Sequence, residues 1–359
     1  MSPSGAGKPD GGDRPVGAGK STARLRVGVV GVGHLGRHHA RLFQALASTE
    51  TACDLVAVAD PSEAARQHAT TTYGVPVFAD HNELLGLVDA VSIAVPTKLH
   101  REVASVFLEN GVDVLVEKPI ARSAEDGQAL VDLAKQHGRI LQVGHVERFN
   151  AVLKGIADIG RSARYIESHR LAPFSFRSTD IGVVLDLMIH DLDLVLALVQ
   201  SEIVSVEAFG GAVFTPAEDM ASAIIKFKNG AVAHLTANRV ALKPLRKMRV
   251  FSREGYASLD FQTAQGMVVT KAPGWDFQKL DLDSIDRGQV GDLWKFVFDG
   301  LLKVQNLVLD EGNPLQLQLA DFVRCVRERA EPVVTGADGV AAVAAAEQVM
   351  AAIARNRWD

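Results

Sequence analysis

Two residues in this sequence are candidates for moving a proton to or from a bound ligand, and the first of them is Lys118. It follows an apolar run, Val112–Val116, and an acidic residue, Glu117. A lysine that is desolvated beside a ligand can have its pKa lowered, and can then hydrogen-bond or deprotonate a hydroxyl group. The sequence leaves a simpler interpretation open, in which Lys118 is a surface residue paired with Glu117.

The second candidate is His190, which lies four residues after Asp186. Because the apolar residues of Val183–Asp193 have helical spacing, Asp186 and His190 are predicted to share one helix face. A histidine titrates near neutral pH and can accept a hydroxyl proton as hydride leaves the carbon, while Asp186 would orient the imidazole or hold a neighbouring hydroxyl. A structural, helix-capping role for both residues fits the sequence equally well. A metal site at His190, Asp191 and Asp193 is disfavoured, since their side chains point in different directions on a helix.

A glycine-rich turn lies where the first apolar run, Leu25–Val30, meets a helix-like segment. The turn, Gly31–Gly36, has glycines at its first, third and sixth positions. Gly31 permits a tight turn, Gly33 lets backbone approach a pyrophosphate, and Gly36 lets the helix pack closely on the strand. The helix N-terminus adds oriented N–H groups for the phosphate charge. Strand, turn and helix together predict a dinucleotide-binding site.

Asp60 ends the next apolar run and bears on the choice of cofactor. It lies 24 residues after Gly36, where a carboxylate accepts hydrogen bonds from the adenosine ribose. Because a carboxylate repels a 2′-phosphate and no arginine follows directly, NAD is favoured over NADP. An incidental aspartate after a structural turn is the competing interpretation. Three histidines near the turn, His34, His38 and His39, are expected to be surface residues close to the phosphate rather than metal ligands.

The first half of the chain alternates apolar runs with helix-like segments. The runs are Leu25–Val30, Leu55–Ala59, Val88–Val95, Val112–Val116 and Ile140–Val143. The helix-like segments are Leu35–Leu46, Ser62–Thr72, Arg101–Asn110 and Ser123–Gln136. This alternation predicts a doubly wound parallel sheet covered by helices on both faces. Ligands of such sheets bind at the carboxyl ends of the strands, which carry the polar segments Val95–His100, Val116–Pro119 and Gly144–Asn150.

The second half is predicted to form a sheet in which several strands alternate apolar and polar residues. Its strands are Ile203–Gly210, Ser222–Phe227, Ala231–Ala237, Lys247–Ser252 and Ala257–Phe261. Asn229 and Gly230 between two of these runs indicate a hairpin. One sheet face would cover the core and leave the other free for a partner. Two helices, Leu315–Glu328 and Gly339–Arg355, are predicted to close the chain.

The composition limits the classes of function. The 359 residues suggest two domains, and a net charge of −5 without a long basic run argues against nucleic acid or an anionic membrane as the main partner. Two cysteines, Cys53 and Cys325, are too few for a disulfide framework or a thiolate metal site. Neither a signal peptide nor a transmembrane span is predicted, so we expect a cytoplasmic protein.

The first 23 residues are expected to form a flexible, glycine-rich tail. Its segment Gly17–Thr22 is similar to a phosphate-binding loop, but Arg14 stands where the motif requires its first glycine. No strand is predicted before the segment and no helix after it. A nucleoside triphosphatase is therefore disfavoured.

The glycine turn, Pro96–His100, Glu117–Pro119 and Asp186–His190 occur in an order and spacing that resembles the glucose–fructose oxidoreductase, inositol dehydrogenase and MocA family. The resemblance implies a Rossmann domain (24–145) after the tail (1–23), then an α/β domain (146–359) with a large, mostly antiparallel sheet for substrate binding and oligomerisation. It also implies NAD or NADP as cofactor, a sugar-like substrate, and dimers or tetramers joined through the sheet. The catalytic residues it implies are Lys118, Asp186 and His190. The expected cofactor-binding residues are Gly31, Gly33, His34, Leu35, Gly36, Asp60, Pro96, Thr97, His100, Glu117 and Lys118.

Three segments, Val143–Asn150, His169–Phe174 and Val184–Asp191, look more narrowly like the UDP-N-acetylglucosamine 3-dehydrogenases of this family. Arg170 and Arg177 would suit a diphosphate, although exposed arginines on a strand and a loop are a fair alternative. A free polyol, a free sugar or a uronic-acid nucleotide sugar stay open as substrates, as does a dinucleotide sensor without turnover. The expected substrate-binding residues are Lys118, Arg148, Asn150, Arg170, Arg177, Asp186 and His190.

Overall fold

The structure, a computed structural model, describes residues 24–48, 53–175, 181–272, 302–308 and 312–356. Its first sheet has six parallel strands in the order β3-β2-β1-β4-β5-β6. The strands are β1 (Leu25–Val30), β2 (Cys53–Ala59), β3 (Val77–Phe78), β4 (Ala90–Ile93), β5 (Asp113–Glu117) and β6 (Leu141–Gly144). The helices between them are α1 (His34–Leu46), α2 (Glu63–Tyr73), α3 (His100–Glu109) and α4 (Ala124–Gln136). The doubly wound prediction is confirmed, and the strand order reverses between β1 and β4, where such sheets bind ligands.

The apolar runs become strands because both faces of this sheet are covered. Val27 and Val29 in β1, and Val114 and Val116 in β5, have no exposed surface. Such strands carry apolar residues at nearly every position rather than at alternate ones. The longest run, Val88–Val95, extends beyond its strand, because apolar character alone does not mark where pairing stops. Strand β3 has only two residues, too few to form an apolar run that predicts a strand.

The second sheet has eight strands in the order β14-β13-β12-β11-β7-β10-β9-β8. They are β7 (Tyr165–Leu171), β8 (Ile203–Gly211), β9 (Met220–Phe227), β10 (Val232–Asn238), β11 (Leu245–Phe251), β12 (Gly255–Asp260), β13 (Gln265–Lys271) and β14 (Leu302–Val308). All neighbours pair antiparallel except β7 and β10, so the prediction of a mostly antiparallel sheet is confirmed. The predicted hairpin lies between β9 and β10, where Gly230 has a positive φ of 83°.

The two faces of this sheet differ in burial. In β9 the alternate residues Ala221, Ala223 and Ile225 are buried in the core, whereas Ile224 points away from it and is exposed. On the outer face the rings of Phe251 and Tyr256 lie 4.8 Å apart. An outer face with large exposed apolar side chains is available to a partner.

The remaining described helices are α5 (Ala157–Arg161), α6 (Ile189–Val199), α7 (Pro314–Glu328) and α8 (Gly336–Arg355). Helix α7 returns to the first sheet, since its Leu319, Phe322 and Val323 belong to the core that contains Val27 and Val29 of β1. Helix α8 packs against α4, α6 and β8. Helix α8 connects the two sheets, since its Val343 lies in a core of the first sheet and its Val349 in the core of the second.

Helix α8 is the one described helix that is long and apolar enough, by length and composition, to cross a membrane. Of its most apolar window, 44% is buried inside the protein. Ala342, Val343, Ala346 and Val349 supply much of that buried surface. The helix predicted at Gly339–Arg355 is present and begins three residues earlier, at Gly336.

Candidate active site

The glycine turn joins β1 to α1 in the geometry that a dinucleotide requires. Gly31 has a φ of 83°, and a β-carbon there would lie 2.8 Å from the carbonyl oxygen of Ala94. A β-carbon on Gly36 would overlap the carbonyl oxygen of Gly31, so only glycine allows helix and strand this close. Gly33, the N-cap of α1, has open space where its side chain would be. The start of α1 is therefore uncovered, and the turn fits a pyrophosphate.

Asp60 fixes this turn from the end of β2. Its two carboxylate oxygens accept hydrogen bonds from the backbone N–H groups of Val32 and Ser62, both at 2.8 Å. Each carboxylate oxygen has a second lone pair that remains for a ribose hydroxyl. Asp60 thus has a structural role that is compatible with its predicted role as a cofactor ligand.

The prediction that His39 lies at the surface is wrong. Its side chain has no exposed surface, with Nδ1 2.7 Å from Ser92 Oγ and Nε2 3.2 Å from Glu117 Oε1. Gly36, His39 and Phe43 lie on the buried face of α1, and that spacing of three and four residues is the signal that predicts burial. His34 is exposed, and its ring lies 5.4 Å from that of His38.

Glu117 ends β5 and is held as a carboxylate. Burial acts to raise its pKa, but the contact with His39 and the charge of Lys118 more than offset burial, so that the pKa lies below its usual value. Glu117 also accepts a hydrogen bond from the backbone N–H of Lys118 at 3.2 Å. A side chain at Gly144 on the neighbouring strand would collide with this carboxylate.

Lys118 is not a surface residue paired with Glu117, because its side chain turns toward Asp186. The Nζ atom donates to the carbonyl oxygen of Asp186 at 2.7 Å and lies 3.3 Å from Asp186 Oδ1. Only 17% of the Lys118 side chain is exposed. An ammonium group held by one carboxylate and one carbonyl oxygen keeps a third proton with which it can bind a substrate oxygen.

Asp186 lies in a single π-helical turn, Val184–Met188, and not in the regular helix predicted for this segment. The turn leads directly into α6, which begins at Ile189 and carries His190. π-helical turns inside helices occur frequently at functional sites. The wider turn presents the Asp186 carbonyl and carboxylate oxygens to the same lysine, an arrangement that residue spacing alone does not predict.

His190 is the second group at this site whose protonation matters. Burial and the positive charges of Lys118 and Arg170 hold the pKa of His190 well below its ordinary value of 6.5. Its Nδ1 is buried and has no hydrogen-bond partner among the described residues, so Asp186 does not bind that nitrogen. The His190 ring lies edge to face with that of His145, at a centroid distance of 6.4 Å and an interplanar angle of 90°. His190 is therefore a neutral base near pH 7.

A cavity of about 370 Å³ lies at the carboxyl ends of β5 and β6, and its lining includes Glu117, Lys118 and His190. Small-molecule sites commonly have volumes of about 300–1,000 Å³. The lining residues already predicted from the sequence are Leu35, Glu117, Lys118, Arg170 and His190. Leu35 belongs to the glycine turn, so the cavity lies beside the dinucleotide site. Among the described residues, no three histidine, cysteine or acidic side chains are grouped as metal ligands.

Arg170 lies in the cavity wall, but its guanidinium is already bonded to two acidic side chains. Nε and Nη2 donate to the carboxylate oxygens of Asp191 at 2.9 and 3.0 Å, and Nη1 donates to Glu147 at 3.0 Å. Its side chain is only 4% exposed. Arg170 is therefore not the exposed arginine that the sequence allowed as the alternative, and its planar fork serves this buried ion network.

Sequence reasoning missed Arg246, which also lines the cavity. It lies opposite Arg170 in the β7–β11 pairing, so both side chains point to the same face of the sheet. Glu147 reduces their repulsion, lying 3.0 Å from Arg170 and 4.0 Å from Arg246. The Arg246 side chain is 53% exposed and can meet an anion in the cavity. Only the strand register reveals this pair.

Three predicted substrate residues, Asp186, Arg148 and Asn150, are not among the residues that line the cavity. Arg148 lies 3.2 Å from both Asp193 and Asp338, linking α6 to the start of α8. Burial raises the pKa of Asp193 to about 7, although the charge of Arg148 opposes that shift. Asn150 is buried and accepts a hydrogen bond from the backbone of Val152. These side chains hold the elements around the site, while Arg177 lies outside the described residues.

The predicted cofactor segment after β4 forms a short 3₁₀ turn. Pro96 precedes the turn and Thr97 begins it. The two ring nitrogens of the buried His100 lie 2.8 Å from the carbonyl oxygen of Pro119 and 2.9 Å from that of Val95. His100 thus ties the end of β4 to the loop that carries Lys118.

Comparisons with known proteins agree with this arrangement. Residues 25–145 match a family model described as "Oxidoreductase family, NAD-binding Rossmann fold", and residues 160–258 match the "GFO/IDH/MocA C-terminal domain". The chain is 42% identical over 238 residues to a UDP-N-acetylglucosamine 3-dehydrogenase of Acidithiobacillus ferrooxidans, which covers 66% of this chain and 74% of that protein. It is 28% identical over 336 residues to a scyllo-inositol 2-dehydrogenase (NAD(+)) of Bacillus subtilis, covering 88% and 90% of the two chains.

Solved structures extend the likeness to nearly the whole chain. The structure of the Acidithiobacillus ferrooxidans enzyme superimposes with a TM-score of 0.79 and 34% identity over 92% of this chain and 98% of that one. A levoglucosan dehydrogenase in complex with NADH shares the fold, with a TM-score of 0.77 and 19% identity over 93% of this chain and 98% of that one. The chain belongs to the GFO/IDH/MocA family and is an NAD-binding oxidoreductase that acts on CH–OH groups.

Proposed function

We propose that this protein oxidises the 3-hydroxyl of UDP-N-acetylglucosamine to a ketone with NAD as the hydride acceptor. The observation that carries the proposal is the cavity in which Lys118 and His190 lie beside the glycine turn, with Asp186 holding the lysine. The 42% identity to a UDP-N-acetylglucosamine 3-dehydrogenase supports this choice of sugar.

In this proposal the cofactor lies along the glycine turn. The start of α1 holds the pyrophosphate, Asp60 accepts hydrogen bonds from the adenosine ribose, and Leu35 and Glu117 border the space beyond. When bound there, NAD supplies the acceptor for the hydride. The acidic side chain of Asp60 favours NAD over its 2′-phosphorylated form.

His190 is the group that accepts the hydroxyl proton. It is neutral at pH 7, whereas the Lys118 Nζ atom already donates hydrogen bonds to the carbonyl oxygen and a carboxylate oxygen of Asp186. Lys118 donates a hydrogen bond to the same substrate oxygen and so orients the reacting C–H bond. Acid–base catalysis of this kind contributes roughly 10²–10⁴-fold to the rate.

Arg246 gives the cavity a cation that can meet the diphosphate. Its side chain is half exposed, and Arg170 behind it fixes Glu147, which would otherwise add uncompensated negative charge to the wall. Guanidinium groups bind phosphate oxygens through paired N–H donors. In this proposal Arg170 shapes the diphosphate site and Arg246 contacts the ligand.

The proposal is tested by following NAD reduction with UDP-N-acetylglucosamine, its uronic acid, myo-inositol and glucose. A glutamate-dependent aminotransferase is included in parallel, because an unfavourable ketone equilibrium would hide turnover. Reduction with UDP-N-acetylglucosamine above the other three is expected. Activity on a free polyol alone would exclude the nucleotide sugar, and tight NAD binding without turnover on any of them would favour a dinucleotide sensor.

The same proposal places the protein in the cytoplasm, where NAD and nucleotide sugars are available, as a homodimer or homotetramer. The exposed apolar face of the second sheet supports such an assembly. There Tyr165 and Phe251 lie opposite each other in the β7–β11 pairing, with ring centroids 5.8 Å apart.

A further inference from the structure

His145 is a fully buried histidine beside the candidate active site. It follows β6 directly and lies next to the end of β5, after which Lys118 comes in the chain. Both of its ring nitrogens are buried, and neither has a hydrogen-bond partner among the described residues. Because neither nitrogen has such a partner, His145 contacts its described neighbours through its ring.

The ring of His145 contacts the imidazole proposed to accept the proton. Its plane is perpendicular to that of His190, with 6.4 Å between the centroids, as in an edge-to-face aromatic pair. The His190 ring lines the cavity on one side, while its Nδ1 is buried. Contact with His145 therefore restricts the rotation of His190 and covers part of its surface.

The charges around the pair make His145 a neutral neighbour. Burial and the positive charges of Lys118 and Arg148 lower the pKa of His145 to about 3, while Glu117 and Asp338 act in the opposite direction. A neutral ring does not repel the imidazolium that forms on His190 during turnover. The charged groups that face His190 from the surrounding elements are Lys118 after β5, Glu147 after β6, Arg170 on β7, Arg246 on β11, and Asp186 and Asp191 beside it in its own segment.

We propose that His145 is a positioning residue for His190, whose ring it fixes and shields from water so that His190 stays unprotonated and correctly aimed at the substrate hydroxyl. The inference rests on the proposed function in which His190 is the base. It requires the ring of His145 rather than its nitrogens, because those nitrogens bind no described group.

The test compares His145→Ala with His145→Phe, which keeps a ring, and with Val143→Ala as a control for lost volume in β6, the strand that His145 follows. His145→Leu replaces the phenylalanine variant if that one does not fold. The titration of His190 is followed by NMR with histidine labelling in the NAD complex, and the pH profile of kcat/KM is measured with whichever sugar is oxidised.

In His145→Ala, water reaches His190 and raises its pKa toward the ordinary value of 6.5. Since only neutral His190 accepts a proton, the acidic limb of the profile moves to higher pH by the same amount. The fall in kcat is expected to exceed the change in KM, because the alignment of the base matters most in the transition state. His145→Phe and Val143→Ala should keep the wild-type titration.

The inference would be overturned if the pKa of His190 were unchanged in His145→Ala. It would also be overturned if that pKa rose as much in His145→Phe as in His145→Ala. The NMR titration requires no turnover, so it decides the role of His145 even if no tested sugar is oxidised. Failure of the sugar panel would contradict the proposed function alone.

Discussion

At the scale of single residues, the site depends on Lys118 and His190, which both line the cavity beside the glycine turn. The sequence predicts Lys118 and His190 as site residues for two reasons. Lysine and histidine side chains can exchange protons, and the two residues follow a predicted strand and lie on a predicted helix. The hydrogen bond from Lys118 to the Asp186 carbonyl oxygen depends on a π-helical turn, and no spacing rule predicts it. The surface prediction for His39 was wrong because its position on the buried face of α1 decides its burial, despite its polar side chain.

Removal of either proton-handling group should reduce turnover while the cofactor still binds. Lys118→Met and His190→Ala are each expected to lower kcat by about 10²–10⁴-fold, because each removes a group that acts on the substrate hydroxyl. The measurement pairs steady-state kinetics with NAD titration by fluorescence. A variant that retains wild-type turnover would remove the role assigned to its residue.

The activity is expected to depend on pH through the protonation of His190. Burial and nearby cations lower the pKa of His190 below 6.5, so the histidine becomes protonated only at more acidic pH. The base form is therefore present above that lowered pKa, and activity is lost as pH falls through it.

At the scale of elements, continuous apolar runs predicted the first sheet because both of its faces are buried. The second sheet was predicted only in part. Strands β7, β13 and β14 were not predicted. Polar and charged residues interrupt β7 and β14, as in the Glu167–Arg170 stretch. The pairing of β7 with both β10 and β11 brings Arg170 opposite Arg246, and such a register lies beyond what local patterns reveal.

This pairing leads to different expectations for two arginines that face the same cavity. Arg170→Met leaves Asp191 and Glu147 buried without their cation and should reduce the free energy of unfolding by about 3–5 kcal/mol. Arg246→Met removes a half-exposed charge and should change it by at most about 1 kcal/mol, while raising KM for a nucleotide sugar. Urea unfolding of both variants, with nucleotide-sugar kinetics for Arg246→Met, makes the comparison. Equal loss of stability in both would contradict the described ion network.

At the scale of the whole molecule, two cores are joined by the last helices. Residues from α7 share a core with β1. A boundary at residue 145 therefore separates the two sheets, but α7, which lies after that boundary in the sequence, packs on the first sheet. Sequence patterns found α7 and α8 but not where they pack, because docking depends on the shape of distant surfaces. The outer face of the second sheet remains exposed, with Val204 at 65% and Phe209 at 53%.

Exposed apolar side chains on a broad sheet favour self-association, and a charge there should oppose it. Phe251→Lys is expected to convert the proposed oligomer into smaller species, as measured by light scattering after size-exclusion chromatography. Lys228→Ala, an exposed residue at the loop that follows β9, serves as a control that should keep the wild-type mass. A monomeric wild type would contradict the proposed assembly.

The central claim, oxidation at C3 of the sugar by hydride transfer to NAD, is tested most directly by isotope transfer. UDP-N-acetylglucosamine carrying deuterium at C3 is incubated with the protein, NAD and the aminotransferase, and the reduced cofactor is examined by mass spectrometry and NMR. We predict that deuterium appears at C4 of the nicotinamide ring and that Lys118→Met and His190→Ala transfer it far more slowly. Reduced cofactor without deuterium, or deuterium transferred only from another sugar position, would contradict the claim.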